Sequence, residues 1–310
     1  MDAAPLVEGV FASDRRALAR AITVVENGLV GAEALVDTLY PRTGRAWRLG
    51  LTGPPGAGKS TLTDRLIGAF RAAGQRVGVV AVDPSSPFTG GALLGDRVRM
   101  DDRTADPGVF IRSLAARGAL GGLAEAAEAA CDVLDAAGFD VILIETVGVG
   151  QGELDVAEAA DTVLVVLVPE SGDAVQAMKA GLMEIAHVFA VNKADHPEAN
   201  LVVGALRQML HLRPAAADGW GVPVVKTSAL QGEGIEALVE ALEKHHAHLA
   251  ASWDATREAR LRRRVRRLAA AALHRTFWTP ARRAALDDAL ATLDPAERAP
   301  YRLAAQLQGR

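Results

Sequence analysis

The chain has 310 residues, 50% of them hydrophobic and 23% charged, a balance that excludes disordered and fibrous classes. One cysteine rules out an internal disulfide framework and any multi-cysteine zinc site, and a formal net charge of -4 gives no global attraction to nucleic acid. No apolar run approaches the roughly 18 residues that span a bilayer; the start, MDAAPLVEGVFASDRR, lacks the basic-then-apolar pattern of a signal peptide, so a cytoplasmic protein without membrane contact is expected.

In chain order, residues 1–45 carry helical periodicity: Leu18, Ile22 and Val25 recur at spacings of four and three, and Leu35 and Leu39 at four, before Pro41 and Gly44 end the zone. From 46 to 250, short β-rich runs alternate with Ala-rich helical stretches. Strands are predicted at 48–52, 76–83, 109–114, 140–146, 162–168, 187–192 and 223–228. Helices are predicted at 60–73, 123–137, 175–184, 198–212 and 234–249. Continuous apolar strands separated by helices predict an α/β fold, a mostly parallel central sheet covered on both faces. Ligands in such folds bind beyond the carboxyl ends of the strands. Residues 251–310 read as helical: Leu261, Val265, Leu268 and Ala272 form an apolar stripe, opposite a face rich in arginine at 257, 260, 262, 263, 264, 266 and 267.

The first chemistry-bearing motif follows the first strand and opens a helix. Gly53-Pro54-Pro55-Gly56-Ala57-Gly58-Lys59-Ser60 fits G-x-x-x-x-G-K-[ST] in full, with Thr61 next. Glycines let backbone N–H groups turn inward on phosphate oxygens, and the helix N-terminus adds partial positive charge. Lys59 is expected on the β- and γ-phosphates and the Ser60 hydroxyl on Mg²⁺. This places the chain among P-loop NTPases.

Asn192-Lys193-Ala194-Asp195 ends the sixth predicted strand as N-K-x-D. A carboxylate only accepts, and guanine offers adjacent N1–H and 2-amino donors; against adenine the same carboxylate meets an acceptor and is left unpaired. The Lys193 stem is expected to cover one face of the base, and Ser228, Ala229 and Leu230, after the next strand, to add backbone contacts to the guanine carbonyl oxygen. The nucleotide is read as GTP, with GDP as product. For Mg²⁺ the chain offers Asp83 and Glu145, each at the end of an apolar strand, and Asp96 in the loop GALLGDRVRM. A bare carboxylate ending a buried strand needs a cation or donors nearby; the plain alternative for each is a helix cap or a turn.

Taken in order, GPPGAGKS, DPSSP, ETVGVGQ, the run from Glu170 through Lys179 to Gly181, and NKAD resemble the MeaB/ArgK family, G-protein chaperones of cobalamin-dependent acyl-CoA mutases. The stretch from Arg16 to Thr23 resembles that family's leading helix, and the matching motifs lie between 16 and 230. The resemblance implies a GTPase that is slow alone and stimulated by its mutase. It implies a homodimer formed partly through C-terminal helices, and docking on an adenosylcobalamin-dependent acyl-CoA mutase to gate cofactor loading and removal of damaged cofactor. It also implies three switches: the loop from Asp83 to about 99, residues 145–152, and residues 169–179. Asp83, Asp96 and Glu145 match the carboxylates around Mg²⁺. Gln151 or a carboxylate is then a candidate to orient water, and Lys179 to supply charge in the transition state if the mutase orders the third switch; the plain alternatives are a backbone-bonding Gln and a helix-capping Lys. The implied organisation is an N-terminal helical segment 1–45, a GTPase domain 46–250 and a C-terminal dimerisation arm 251–310.

Two other functions stay in play, a metallochaperone GTPase and a GTP-dependent kinase. The first lacks a cysteine-based or His-rich metal tail, and the second lacks an evident acceptor pocket. The arginine helix is read as a solvated or partner-facing surface rather than a nucleic-acid site. His245, His246 and His248 are read as favoured by a helix C-terminus rather than as metal ligands. Cys131 reads as a small buried residue.

Overall fold

The computed structural model describes residues 4–83, 103, 105–115, 122–146, 157–169, 181–213, 218–294 and 297–308. The chain divides into two compact units, Met1–Arg260 and Leu261–Arg310. In the first, α1 (Ala4–Phe11), α2 (Arg15–Glu26) and α3 (Ala32–Leu39) precede β1 (Trp47–Thr52) and α4 (Lys59–Ala72). There follow β2 (Val77–Asp83), β3 (Val109–Ala115), α5 (Gly122–Ala136), β4 (Val141–Thr146) and β5 (Thr162–Leu167). The unit continues through α6 (Leu182–Ile185), β6 (Val188–Val191), α7 (Ala199–Leu212), β7 (Val224–Lys226) and α8 (Ile235–Leu249).

The seven strands are parallel and lie in the order β3-β2-β4-β1-β5-β6-β7. Each predicted strand is present within a residue or two of its expected bounds, because a parallel strand buried on both faces must be nearly all apolar and so declares itself in sequence. Side chains alternate between two cores. Trp47, Leu49 and Leu51 of β1 face α4 and α8, where Leu62, Leu66, Phe70, Leu238 and Leu242 are buried. Val163, Val165 and Leu167 of β5 face the core shared with α2, α3 and α5. Of the predicted helix 175–184, only Leu182–Ile185 falls among the described residues as helix, and residues 170–180 lie outside them.

The N-terminal helices are fastened to this sheet. Asp14 caps α2 by accepting from Ala17 N at 2.8 Å, and Leu18, Ala21, Ile22 and Val24 are buried. Asp135 of α5 accepts from the backbone amides of Gly44 (2.7 Å), Arg45 (3.1 Å) and Ala46 (3.1 Å) just before β1. Arg48, buried in β1, pairs with Asp132 at 2.7 Å and lies 3.7 Å from Asp135. Burial disfavours its charge, but Asp132, Asp135 and Asp161 around it hold the guanidinium above its ordinary range.

At the opposite end of the sheet from the strand C-termini, histidines fill the core edge. His245 is fully buried; Thr162 Oγ1 lies 2.8 Å from its Nδ1 and also accepts from Trp47 Nε1. His187 stacks against it with centroids 4.3 Å apart, its Nδ1 accepting from Val163 N, and Trp220 packs edge-on. His246 stacks on Trp47, and His248 lies 3.4 Å from Asp218. Burial, with His187 and His248 adding to it, lowers His245 to about 3, and burial lowers His187 to about 4. His245 is therefore kept neutral, so the charge–dipole attraction expected of the trio does not place it. Both native values fall below the ordinary 6.5, so the unfolded chain binds more protons between about pH 6.5 and 4, and stability falls as pH drops through that window. We expect a loss of about 3 kcal/mol from pH 7 to pH 5, read as a thermal midpoint roughly 5–10 °C lower. Equal midpoints at the two pH values sink this expectation.

In the last stretch, α9 (Trp253–Phe277) is followed by α10 (Pro280–Thr292) and α11 (Pro300–Leu307). Thr279 caps α10 by accepting from Arg282 N, and Arg282 lies over the Phe277 ring at 4.7 Å. The expected sidedness of α9 fails in part at its start: Arg260 is 7% exposed, while Arg262 and Arg263 are exposed as expected. For Arg260 the cause is Asp161, whose buried carboxylate accepts from the Arg48 amide at 2.9 Å and pairs with the Arg260 guanidinium. Arg257 in turn donates to the Gly44 carbonyl.

Candidate functional site

The C-terminal end of β1 runs straight into the glycine loop. Gly53 has φ +138°, and a Cβ there would lie 2.0 Å from the Val166 carbonyl oxygen of β5, so only glycine passes. Gly58 has φ +84°, and a Cβ there would strike Asn192 Nδ2 at 2.4 Å. Between them Pro55 and Gly56 are exposed and Ala57 is buried. Lys59 opens α4 at 5% exposure; its Nζ donates to the carbonyls of Gly53 (2.7 Å) and Pro54 (2.9 Å), which draws the ammonium back along the loop. Loop amides, helix N-terminus and ammonium together make an anion cradle. Thr61 follows on α4, half-buried.

Glu145, next to last in β4, lies beside this cradle, opposite Leu51 in the sheet register, and is 5% exposed. Its Oε1 accepts from Ser60 Oγ at 2.6 Å and its Oε2 from Thr63 Oγ1 at 2.9 Å. Thr63 is fully buried and lies one turn along α4 from Ser60, so both hydroxyls reach one carboxylate. Sequence reasoning passed over Thr63, although the i, i+3 spacing from Ser60 was available to find it. Asp83 ends β2 at the same sheet edge, two residues beyond the level of Glu145, since Ala81 is the register partner of Glu145. Asp96, Gln151 and Lys179 lie outside the described residues.

A second loop pair closes on the cradle from the β6 side. Asn192 is 3% exposed; its Nδ2 donates to the Ala57 carbonyl at 2.8 Å, and its Oδ1 accepts from Ala229 N at 3.0 Å and Thr227 Oγ1 at 3.3 Å. One carboxamide thus joins the glycine loop to the loop after β7. Lys193 takes φ +55°, and Ala194 N donates to Thr227 O at 2.9 Å. Asp195 is exposed, with Oδ1 accepting from Ser228 Oγ at 3.0 Å, and a carboxylate retains acceptor capacity beyond that bond. The loop after β7 folds tightly: Gly232 N and Glu233 N both donate to Ser228 O, and Ser228 N donates to Glu233 O. Arg65 of α4 donates from Nε to Ala229 O and from Nη2 to Leu230 O, both at 2.8 Å. No pattern in the sequence pointed to Arg65, because its partners lie 164 and 165 residues away.

The residues brought together are therefore Gly53 through Ser60, Glu145, Asn192 through Asp195, and Ser228 through Leu230. Their geometry suits an anion at one end and a planar group with two adjacent donors at the other, bridged by the Asn192–Ala57 contact.

Comparisons with known proteins bear on the family and the fold. The family model described as methylmalonyl-CoA mutase-associated GTPase MeaB matches residues 18–281. A Pyrococcus horikoshii protein named as a GTPase is 50% identical over 259 residues, covering 83% of this chain and 82% of that protein. GTPase ArgK of Escherichia coli is 38% identical over 246 residues, 77% of this chain and 74% of that one. Among solved structures, that of a LAO/AO transport system kinase is similar with a TM-score of 0.75 at 26% identity, covering 99% of this chain and 96% of that one.

Proposed function

The chain belongs to the MeaB family of P-loop GTPases, and from that premise we propose that it is a GTP-hydrolysing chaperone of an adenosylcobalamin-dependent acyl-CoA mutase. In this reading it docks on the mutase as a homodimer, gates loading of the cofactor and promotes removal of inactivated cofactor. The description of the matching family as methylmalonyl-CoA mutase-associated supports the partner. The observation that carries the chemistry is the Asn192 carboxamide holding the glycine loop and the base-side loop in one site.

Phosphoryl transfer asks the protein for position and charge rather than covalent work. The amides of Gly53, Pro55's neighbours Gly56 and Ala57, and Gly58 to Thr61 wrap the phosphates, and Lys59 stabilises charge growing on the γ-phosphate. Asp195 accepts from the two guanine donors and Lys193 covers a face of the base; of the backbone expected on its carbonyl edge, the Ser228 and Ala229 amides already donate to Glu233 O and Asn192 Oδ1, so the Leu230 amide is the one that meets it. Ser60 Oγ and Glu145 Oε1 are hard oxygen donors 2.6 Å apart, the class that Mg²⁺ takes, with Asp83 and Asp96 as further carboxylates. When bound, that ion neutralises charge on the β- and γ-phosphates. Gln151 or a carboxylate orients the attacking water, and Lys179 adds positive charge in the transition state of the mutase-stimulated reaction.

The test is GTP turnover, with ATP as control, alone and with each class of cobalamin-dependent acyl-CoA mutase, in the wild type and Lys179→Ala. Slow GTP turnover raised strongly by one mutase, with the rise lost in Lys179→Ala, is the expected result. Turnover that no mutase changes removes the chaperone reading, and an undiminished rise in Lys179→Ala removes that residue's role.

Thr63→Val keeps the side-chain shape and deletes one donor to Glu145. The buried Glu145 carboxylate then loses one of its donors, at about 1–3 kcal/mol, and we expect single-turnover hydrolysis to slow roughly tenfold to a hundredfold. The Mg²⁺ concentration for half-maximal rate should rise, while GDP affinity measured in a chelator stays within about twofold. An unchanged Mg²⁺ dependence shows Thr63 to be packing only.

A further inference from the structure

The phosphate-loop helix also reaches the base-side loop. Arg65 lies on α4, beyond Lys59 and Ser60, and its Nε and Nη2 each donate at 2.8 Å to consecutive carbonyls, Ala229 and Leu230. The guanidinium fork supplies two near-parallel donors, which suits two successive carbonyls and which a lysine does not reproduce. A planar trans peptide couples each carbonyl to the next residue's amide, pointing the other way. Holding Ala229 and Leu230 carbonyls toward α4 therefore turns the Leu230 and Gln231 amides away from it. Leu230 is 82% exposed, so apolar packing does not fix this tip, and the bonds that close the turn run among Ser228, Gly232 and Glu233, leaving the Ala229 and Leu230 carbonyls to Arg65. On the other side, the Ala229 amide is already engaged by Asn192 Oδ1 at 3.0 Å.

We propose that Arg65 is a specificity-determining positioning residue, setting the orientation in which the 228–231 loop presents its backbone to the base. This rests on the reading that Asp195 and that loop hold guanine. A loop fixed by Arg65 meets the base edge pre-organised, whereas a loop freed of it pays for ordering when the base binds. The phosphate half does not use these carbonyls, so it is spared.

The experiment measures equilibrium affinities of GDP and ADP for the full chain as wild type, Arg65→Met and Arg65→Lys. Arg65→Met should weaken GDP about tenfold and ADP less than about twofold, so the GDP-over-ADP preference shrinks by the same factor. Arg65→Lys should recover part of the loss, because one donor remains. A preference in Arg65→Met equal to that of the wild type overturns the role of Arg65, and so does an equal loss of both nucleotides, which marks a staple of the whole site. A wild type that binds ADP as tightly as GDP overturns the guanine reading itself, and this inference with it. Since Arg65 is a surface side chain, both variants should fold, which the thermal midpoint without nucleotide checks.

Discussion

Lys59→Ala lowers the single-turnover rate of GTP hydrolysis about a thousandfold, the largest loss expected of any one substitution in this chain. Lys59 is 5% exposed, and its ammonium already leans on the Gly53 and Pro54 carbonyls, so the charge is held inside the cradle and screened little by water. Charge that grows on the γ-phosphate in the transition state meets that ammonium at low effective dielectric, where one donor is worth far more than at a surface. Alanine removes the charge and leaves the loop amides, so binding suffers less than rate, and GDP affinity should fall about tenfold. The fold should survive, since what is deleted is a buried charge and not an apolar anchor. Rapid mixing of enzyme in excess over GTP reads the chemical step, and a calorimetric titration reads affinity. A rate within tenfold of the wild type removes Lys59 from the catalytic machinery.

The second large effect is a change of substrate. Asp195→Asn exchanges a pure acceptor for a group with one acceptor and one donor. Guanine then loses a partner for one of its two adjacent donors and meets an N–H where it also offers N–H, at a cost of a hundredfold or more in affinity, about 3 kcal/mol. Xanthine carries a carbonyl where guanine carries the 2-amino group, so its N1–H and carbonyl match the carboxamide. We expect GDP affinity to fall about a hundredfold and xanthosine diphosphate to become the preferred ligand. The Ser228 hydroxyl, 3.0 Å from Asp195 Oδ1, holds the side chain in the same orientation in both forms. If Asp195→Asn binds GDP as the wild type does, the base lies elsewhere.

What could be read in advance divides by distance along the chain. Local periodicity marked the strands, since each is apolar without a break, and the glycine loop declared itself because its eight residues must be contiguous to wrap a phosphate. Glu145 was legible as a strand-end carboxylate, but its second donor, Thr63, belongs to a helix whose partner strand lies 82 residues on. Arg65 was likewise opaque. Arg260 of α9 shows the limit most plainly: hydropathy put it on a solvated or partner-facing surface, whereas it is buried against Asp161, 99 residues earlier, which offsets part of the cost of burying its charge. Ion pairing between distant segments has no period, so no window along the sequence can register it.

The Asn192 carboxamide spends its amide on the glycine loop and its oxygen on the loop after β7. It is a shared component, and that constrains how such a protein can change over generations. A lineage that altered its base preference by remodelling one loop would have to keep this side chain satisfied from the other, so the two halves of nucleotide recognition are inherited together.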